Sequence, residues 1–220
     1  MRNNWTITKD LFLSADEVNS LYVALSDAKD LALQRKKFYV HVRDYFLLRT
    51  LLETGLRVFE LVSLRVGDLH GNSLIVRKGK GGKCRNVLLT NGTQKMIRNF
   101  IRIKQRVLKE STSELDFLFV SERRRPYSTR GVRRRVKFWF GKCGFSQKFS
   151  CHSCRHTYVS HLLAAGIDTV TVRDNAGHSS LAITSIYGHV VKDDLGDFEV
   201  YKSGFVGRRT NSKAGDGKDQ

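Results

Sequence analysis

Apolar and polar positions along this chain alternate mostly at helical spacing. Ser14 and Glu17 form a capping box, and Val18, Leu21, Tyr22 and Leu25 then mark one stripe at steps of three and four. A basic stretch, Gln34 to Lys37, separates this helix from one expected over Val42 to Thr54, with Tyr45, Phe46, Leu48 and Leu52 inward. Gly55 ends it as a left-handed C-terminal cap would, and a short helix over Val58 to Leu64 follows. Two β-rich segments, Ser73 to Arg77 and Cys84 to Leu89, flank the turn-like run KGKGGK, and they are the one clear strand pair. Thr93 is expected to open an amphipathic helix to about Leu108, with Met96, Ile97, Phe100, Ile101, Val107 and Leu108 facing in. A short apolar stretch, Phe117 to Val120, precedes a basic helix over Thr129 to Gly141, and three more helices are expected at Cys151 to Ala165, Thr169 to Ala176 and Leu181 to Val190. The pattern predicts an α+β fold, mainly α with a small antiparallel β-sheet. Residues 1–12 form an N-terminal extension, 13–206 one domain, and the Gly, Ser and charge-rich residues 207–220 a disordered tail.

Composition narrows the class. Thirty-nine Lys and Arg stand against 21 Asp and Glu, a net charge of +18 in 220 residues, while 40% hydrophobic residues suffice for a proper core. No apolar run is long enough to span a bilayer, and the first ten residues lack the apolar centre of a signal peptide, so a soluble, cytoplasmic protein is expected. A surplus of this size calls for a polyanion, and the abundant one inside a cell is nucleic acid. Two clusters, Arg123, Arg124 and Arg125, and Arg133, Arg134 and Arg135, are candidates for binding a nucleic-acid backbone. Four cysteines are too few and too unevenly placed for a disulfide framework. Cys151 and Cys154 form a C-x-x-C that a redox or zinc site could use, but zinc-finger spacing is absent. No metal or cofactor is expected.

Four segments carry candidate chemistry: TGLRVFELVSLRVGDL at 54–69, GKGGKCRNVLL at 79–89, CHSCRHT at 151–157 and AGHSSLAITSIYGHV at 176–190. In this order and spacing they resemble the catalytic domain of the tyrosine recombinases, also called the phage integrase family. The family pattern is an Arg in T-G-x-R-x-x-E-L, a Lys in a G-K-G hairpin turn, His-x-x-Arg-His, Gly-His, and a Tyr nine residues later. Arg57, Lys80, His152, Arg155, His178 and Tyr187 fill these positions over about 130 residues.

The resemblance implies metal-free breakage of a DNA strand, and the residue types suit it. A phosphodiester gathers further negative charge on its non-bridging oxygens in the transition state, and the planar forks of Arg57 and Arg155 match two such oxygens. His178 adds a hydrogen bond to the same phosphate. Tyr187 is the implied nucleophile, forming a 3′-phosphotyrosyl link, with His152 as its base and Lys80 as the acid that protonates the leaving 5′ oxygen. Glu60, one turn after Arg57, is placed to orient that guanidinium. The intermediate retains the bond energy, so the product is strand exchange without ATP: integration, excision, inversion or resolution. A type IB-like topoisomerase and a catalytically silent DNA-binding relative are the competing readings.

The resemblance further implies duplex DNA with paired target sites and a homotetramer on DNA. Because the chain begins almost at the catalytic domain, like the short invertase-type members, a helper protein is a possible partner, and the expected location is the nucleoid. Asn175-Ala176 stands where the family has Leu-Leu, which predicts looser packing beside His178.

Overall fold

The computed structural model describes residues 9–77 and 84–180, with Thr184 and Tyr187. Lys80, the helix expected over 181–190 apart from those two residues, and everything from 188 onward, including the expected tail, lie outside the described residues. Among the described residues the elements are α1 (Ala15–Arg35), α2 (Val40–Thr54), α3 (Val58–Ser63), β1 (Leu69–His70), β2 (Ser73–Val76), β3 (Arg85–Leu88), α4 (Asn91–Arg106), α5 (Thr129–Lys142), α6 (Cys151–Ala164) and α7 (Thr169–Ala176).

The helix α2 is the hub, packing against α1, α4 and α6. Its Phe46, Leu47, Leu48, Leu51 and Leu52 are all buried, so it is apolar around most of its circumference, as a central helix must be. Phe46, Phe100 of α4 and Phe119 form a stacked row with centroids 4.6 and 5.2 Å apart. Charged side chains that α2 buries find partners: Arg43 donates through Nη2 to Glu110, Asp44 accepts from Arg135 and Trp139, and Glu53 accepts from Arg49 and Thr93.

The expected capping box is present, with Ser14 Oγ accepting from the Glu17 amide and Glu17 accepting from the Ser14 amide. Phe12 and Leu13 are already buried, although they flank the boundary read as the end of an extension. The α4 helix starts earlier than Thr93. Thr90 is its N-cap, accepting from the Thr93 amide, and Thr93 lies inside the first turn with its hydroxyl on Glu53.

The sheet has three antiparallel strands in the order β1-β2-β3, with Leu69 opposite Leu74 and Leu74 opposite Val87. The strand β1 is an addition to the expected pair. At two residues it is too short to show alternation, and a turn at Gly71 (φ +53°) folds it onto β2. Leu74, Val76 and Val87 point into the core, and β3 rests on α7. No helix among the described residues is long and apolar enough to cross a membrane.

Candidate active site

Three chain reversals converge on one place. Gly55 caps α2 at φ +60°, and the chain passes directly to Arg57, the extended residue preceding α3. The α6 helix begins beside it, with Ser150 Oγ accepting from the His152 amide. The third reversal is Gly177, the left-handed cap of α7 at φ +67°, followed by His178.

Arg155, inside the first turns of α6, donates through Nη1 to the Gly55 carbonyl at 2.8 Å. Arg57 donates through Nη2 to the Gly177 carbonyl at 3.0 Å. These two bonds tie the ends of α2 and α7 to the guanidinium pair. Glu60 is 2% exposed; it accepts from Arg57 Nη1 at 3.2 Å and from the Arg57 amide at 2.8 Å. Arg85 of β3 also donates to both Glu60 oxygens, at 2.7 and 2.9 Å, and its Nε reaches the Asn175 carbonyl at 3.2 Å. Burial alone would raise the Glu60 carboxyl, but hydrogen bonds and charge from Arg85, then from Arg57, carry it below its usual range.

A cavity of about 170 Å³ opens between these elements, lined by Leu56, Arg57, Val58, Arg133, Ser150, Cys151, His152 and Arg155. It joins three guanidinium groups to the N-terminal end of a 14-residue helix, a setting that attracts an oxyanion. Arg155 Nη2 is buried without a hydrogen-bond partner among the described residues. Burial, then the charge of Arg57, lowers the Arg155 guanidinium to about 10, a cost that a bound anion would relieve.

Tyr187 sits beside this cavity and does not line it. Its ring is 3% exposed and lies between the imidazoles of His156 and His178, with centroids 5.8 and 6.2 Å away. Its hydroxyl lies 2.7 Å from His156 Nδ1. His178 Nδ1 is 3.0 Å from the Thr184 hydroxyl. Burial pushes the Tyr187 phenol up to about 12 against the opposing charge of Arg155. Burial, then His152 and Arg155, lowers His156 to about 4; burial, then Arg155 and Arg57, lowers His178 to about 3. Both imidazoles are therefore neutral at pH 7.

Of the residues singled out in the sequence, Arg57, Glu60, His152, Arg155, His178 and Tyr187 are brought together. Arg123, Arg124 and Arg125 are exposed on a turn closed by Ser121 and Arg125. The second basic run divides three ways. Arg133 lines the cavity, Arg134 is exposed, and Arg135 turns inward, its Nε 2.9 Å from Asp44 Oδ1 and its Nη2 on Oδ2. Arg135 is thus engaged by a fully buried carboxylate of α2, which needs a cation beside it.

The expected looseness at Asn175 is also corrected. Asn175 is 2% exposed; its Oδ1 accepts from the Leu88 amide at 3.0 Å and its Nδ2 donates to the Tyr158 hydroxyl at 3.3 Å. A polar clamp thus replaces apolar packing and joins α7 to β3 and α6. Cys151 and Cys154 are buried free thiols, the first pushed up to about 11 and the second well above its ordinary value, both by burial. A helix start that lowers thiol pKa is outweighed here by desolvation.

Arg85 and His156 were not assigned roles from sequence. Arg85 shares one face of β3 with buried Val87, and His156 stands one helical turn after His152, and these spacings are the signals that mark them.

A sequence profile described as the phage integrase family matches residues 12–193. The chain is 38% identical over 157 residues to a tyrosine recombinase of Pseudothermotoga lettingae, covering 70% of this chain and 52% of that protein. It is 34% identical over 193 residues to tyrosine recombinase XerC of Thermodesulfovibrio yellowstonii, covering 86% and 60%. Among solved structures, XerA recombinase superposes with a TM-score of 0.69 at 29% identity, over 87% of this chain and 63% of that one. XerH site-specific recombinase bound to palindromic difH substrate gives 0.65 at 22% identity, over 84% and 51%. The chain spans between half and three-fifths of the length of these two curated relatives.

Proposed function

This chain belongs to the phage integrase family, and from that premise we propose that it is a site-specific DNA recombinase, which cleaves and rejoins strands through a 3′-phosphotyrosyl intermediate. The observation that carries the reading is the cavity lined by Arg57, Arg155, Arg133 and His152, with the buried Tyr187 hydroxyl held beside it. A phosphate seated there would meet the unpartnered Arg155 Nη2 and the Arg57 fork, and the charge that builds during attack would fall on fixed donors. His152 and His178 would hydrogen-bond its oxygens. Lys80, in the glycine-rich segment of sequence between β2 and β3, would protonate the 5′ oxygen as it leaves. The covalent link retains the phosphodiester energy, so a second 5′ hydroxyl reverses the step and no nucleotide cofactor is consumed.

The substrate is duplex DNA bearing paired sites, with four chains assembled on them at the nucleoid. Similarity to tyrosine recombinase XerC supports recombination of DNA as the activity. The test is covalent capture on nicked suicide duplexes, in which the cleaved 5′ fragment diffuses away. The wild-type chain should leave a denaturant-stable protein–DNA adduct and Tyr187→Phe none. An adduct that persists in Tyr187→Phe overturns the assignment of the nucleophile.

A further inference from the structure

Among the described residues the hydroxyl of Tyr187 has a side-chain partner in His156 Nδ1, at 2.7 Å. His152, the base expected from the motif, is exposed at the mouth of the cavity shared by Arg57, Arg133 and Arg155. The two histidines are one helical turn apart on α6, on either side of Arg155 in sequence: one faces the anion cavity, the other the phenol. We propose that His156 is the proton acceptor for the Tyr187 nucleophile, and that His152 is a hydrogen-bond donor to the phosphate. This rests on the recombinase reading and assigns a role within it.

The step balances as follows. The Tyr187 O–H bond breaks as its oxygen bonds to phosphorus, and the proton passes to His156 Nδ1. The P–O5′ bond breaks with its electron pair going to the 5′ oxygen, which takes a proton from a separate acid. His156 suits the first transfer because its ring is neutral and so offers a free nitrogen lone pair. The groups that face it are His152 and Arg155 from its own helix, and Tyr187 and His178 from across the site. A phosphate between the arginines would offset the positive charge that now disfavours a protonated His156. The negative charge of the transition state would favour it further.

The proposal is tested on a nicked duplex obtained by covalent capture on the wild-type chain from a pool with a randomised core. His156→Asn places an amide where Nδ1 stood, retaining a hydrogen-bonding atom without basicity. Single-turnover adduct formation should fall about 10²–10⁴-fold, the usual worth of a positioned base, with duplex affinity and thermal midpoint unchanged. Sulfur in place of the bridging 5′ oxygen leaves without needing a proton, so it should relieve loss of the acid but leave the His156→Asn defect in place. Added imidazole should restore part of the rate to His156→Ala, which keeps the test open if the Asn variant folds poorly. A wild-type rate in His156→Asn, recovery of that variant by the sulfur substrate, or failure of imidazole to act on a folded His156→Ala each overturns the proposal. If the wild-type chain captures no duplex at all, the recombinase reading falls, and this assignment falls with it.

Discussion

Arg85 holds Glu60 with two charge-assisted hydrogen bonds, and Glu60 in turn holds the side chain and amide of Arg57. Through this carboxylate the strand that follows Lys80 in the sequence is fastened to the first arginine of the site. Gly177 closes the same contact from the other side, since a Cβ there would lie 2.8 Å from Arg85 Nε. Arg85→Met should destabilise the fold by on the order of 3 kcal/mol, because it removes one partner of a buried pair and leaves Glu60 with Arg57 alone. The pH dependence has a definite sign. Glu60 is depressed in the folded chain, so its contribution is fully present above the unfolded carboxylate value, roughly 4.3, and is lost as pH falls through its folded value. Urea unfolding should therefore separate wild type from Arg85→Met clearly at pH 7, and the gap should narrow in acid. A gap independent of pH would mean that Arg85 acts by packing. The link between Arg57 and Glu60 was legible from a spacing of three at the start of one helix. Arg85 was harder to see because its partner lies 25 residues away in another element.

At the scale of elements, the helix ends decide where the chemistry is, and the one after α2 shows this best. Gly55 is needed twice. Its φ of +60° is left-handed, and a Cβ added to it would lie 2.3 Å from Cδ1 of the buried Tyr158 ring. Its carbonyl also receives Arg155. Gly144, after α5, has φ +73° and open space around the same position. Gly144→Ala should cost only the left-handed strain, about 1–2 kcal/mol. Gly55→Ala should add overpacking of about 1–3 kcal/mol and displace the carbonyl that fixes Arg155. Denaturation midpoints for the pair, with adduct formation for Gly55→Ala, measure the difference; equal losses would show that only the backbone conformation matters. Helix caps of this kind were readable, since Ser14 with Glu17 and Gly55 state their roles locally. The start of α4 was not, because Thr90 and Thr93 are both good caps and only the buried Glu53 on α2 selects between them. The strand β1 likewise depends on what lies beside it.

Over the whole molecule, a surplus of +18 says that the chain meets a polyanion but not which charges do so. The run Arg133, Arg134, Arg135 is uniform in sequence, yet each step around a helix turns by about 100° and sends each side chain to a different place. Arg133 reaches the cavity, Arg134 reaches solvent, and Arg135 is claimed by Asp44, which also accepts from Trp139 Nε1 at 2.9 Å. The neighbours Arg134 and Arg135 should therefore fail in different ways. Binding to duplex DNA should weaken linearly with the logarithm of salt concentration, with a slope set by the number of phosphates neutralised. Arg134→Gln, and likewise Arg124→Gln on the exposed turn, should reduce that slope by about one each at nearly unchanged stability. Arg135→Gln should leave the slope as it is and destabilise the fold by on the order of 3 kcal/mol, because a fully buried carboxylate loses its cation. Fluorescence anisotropy across a salt series and urea unfolding, run on the same three variants, check both halves. A reduced slope in Arg135→Gln at full stability would mean that Asp44 releases this arginine when DNA binds.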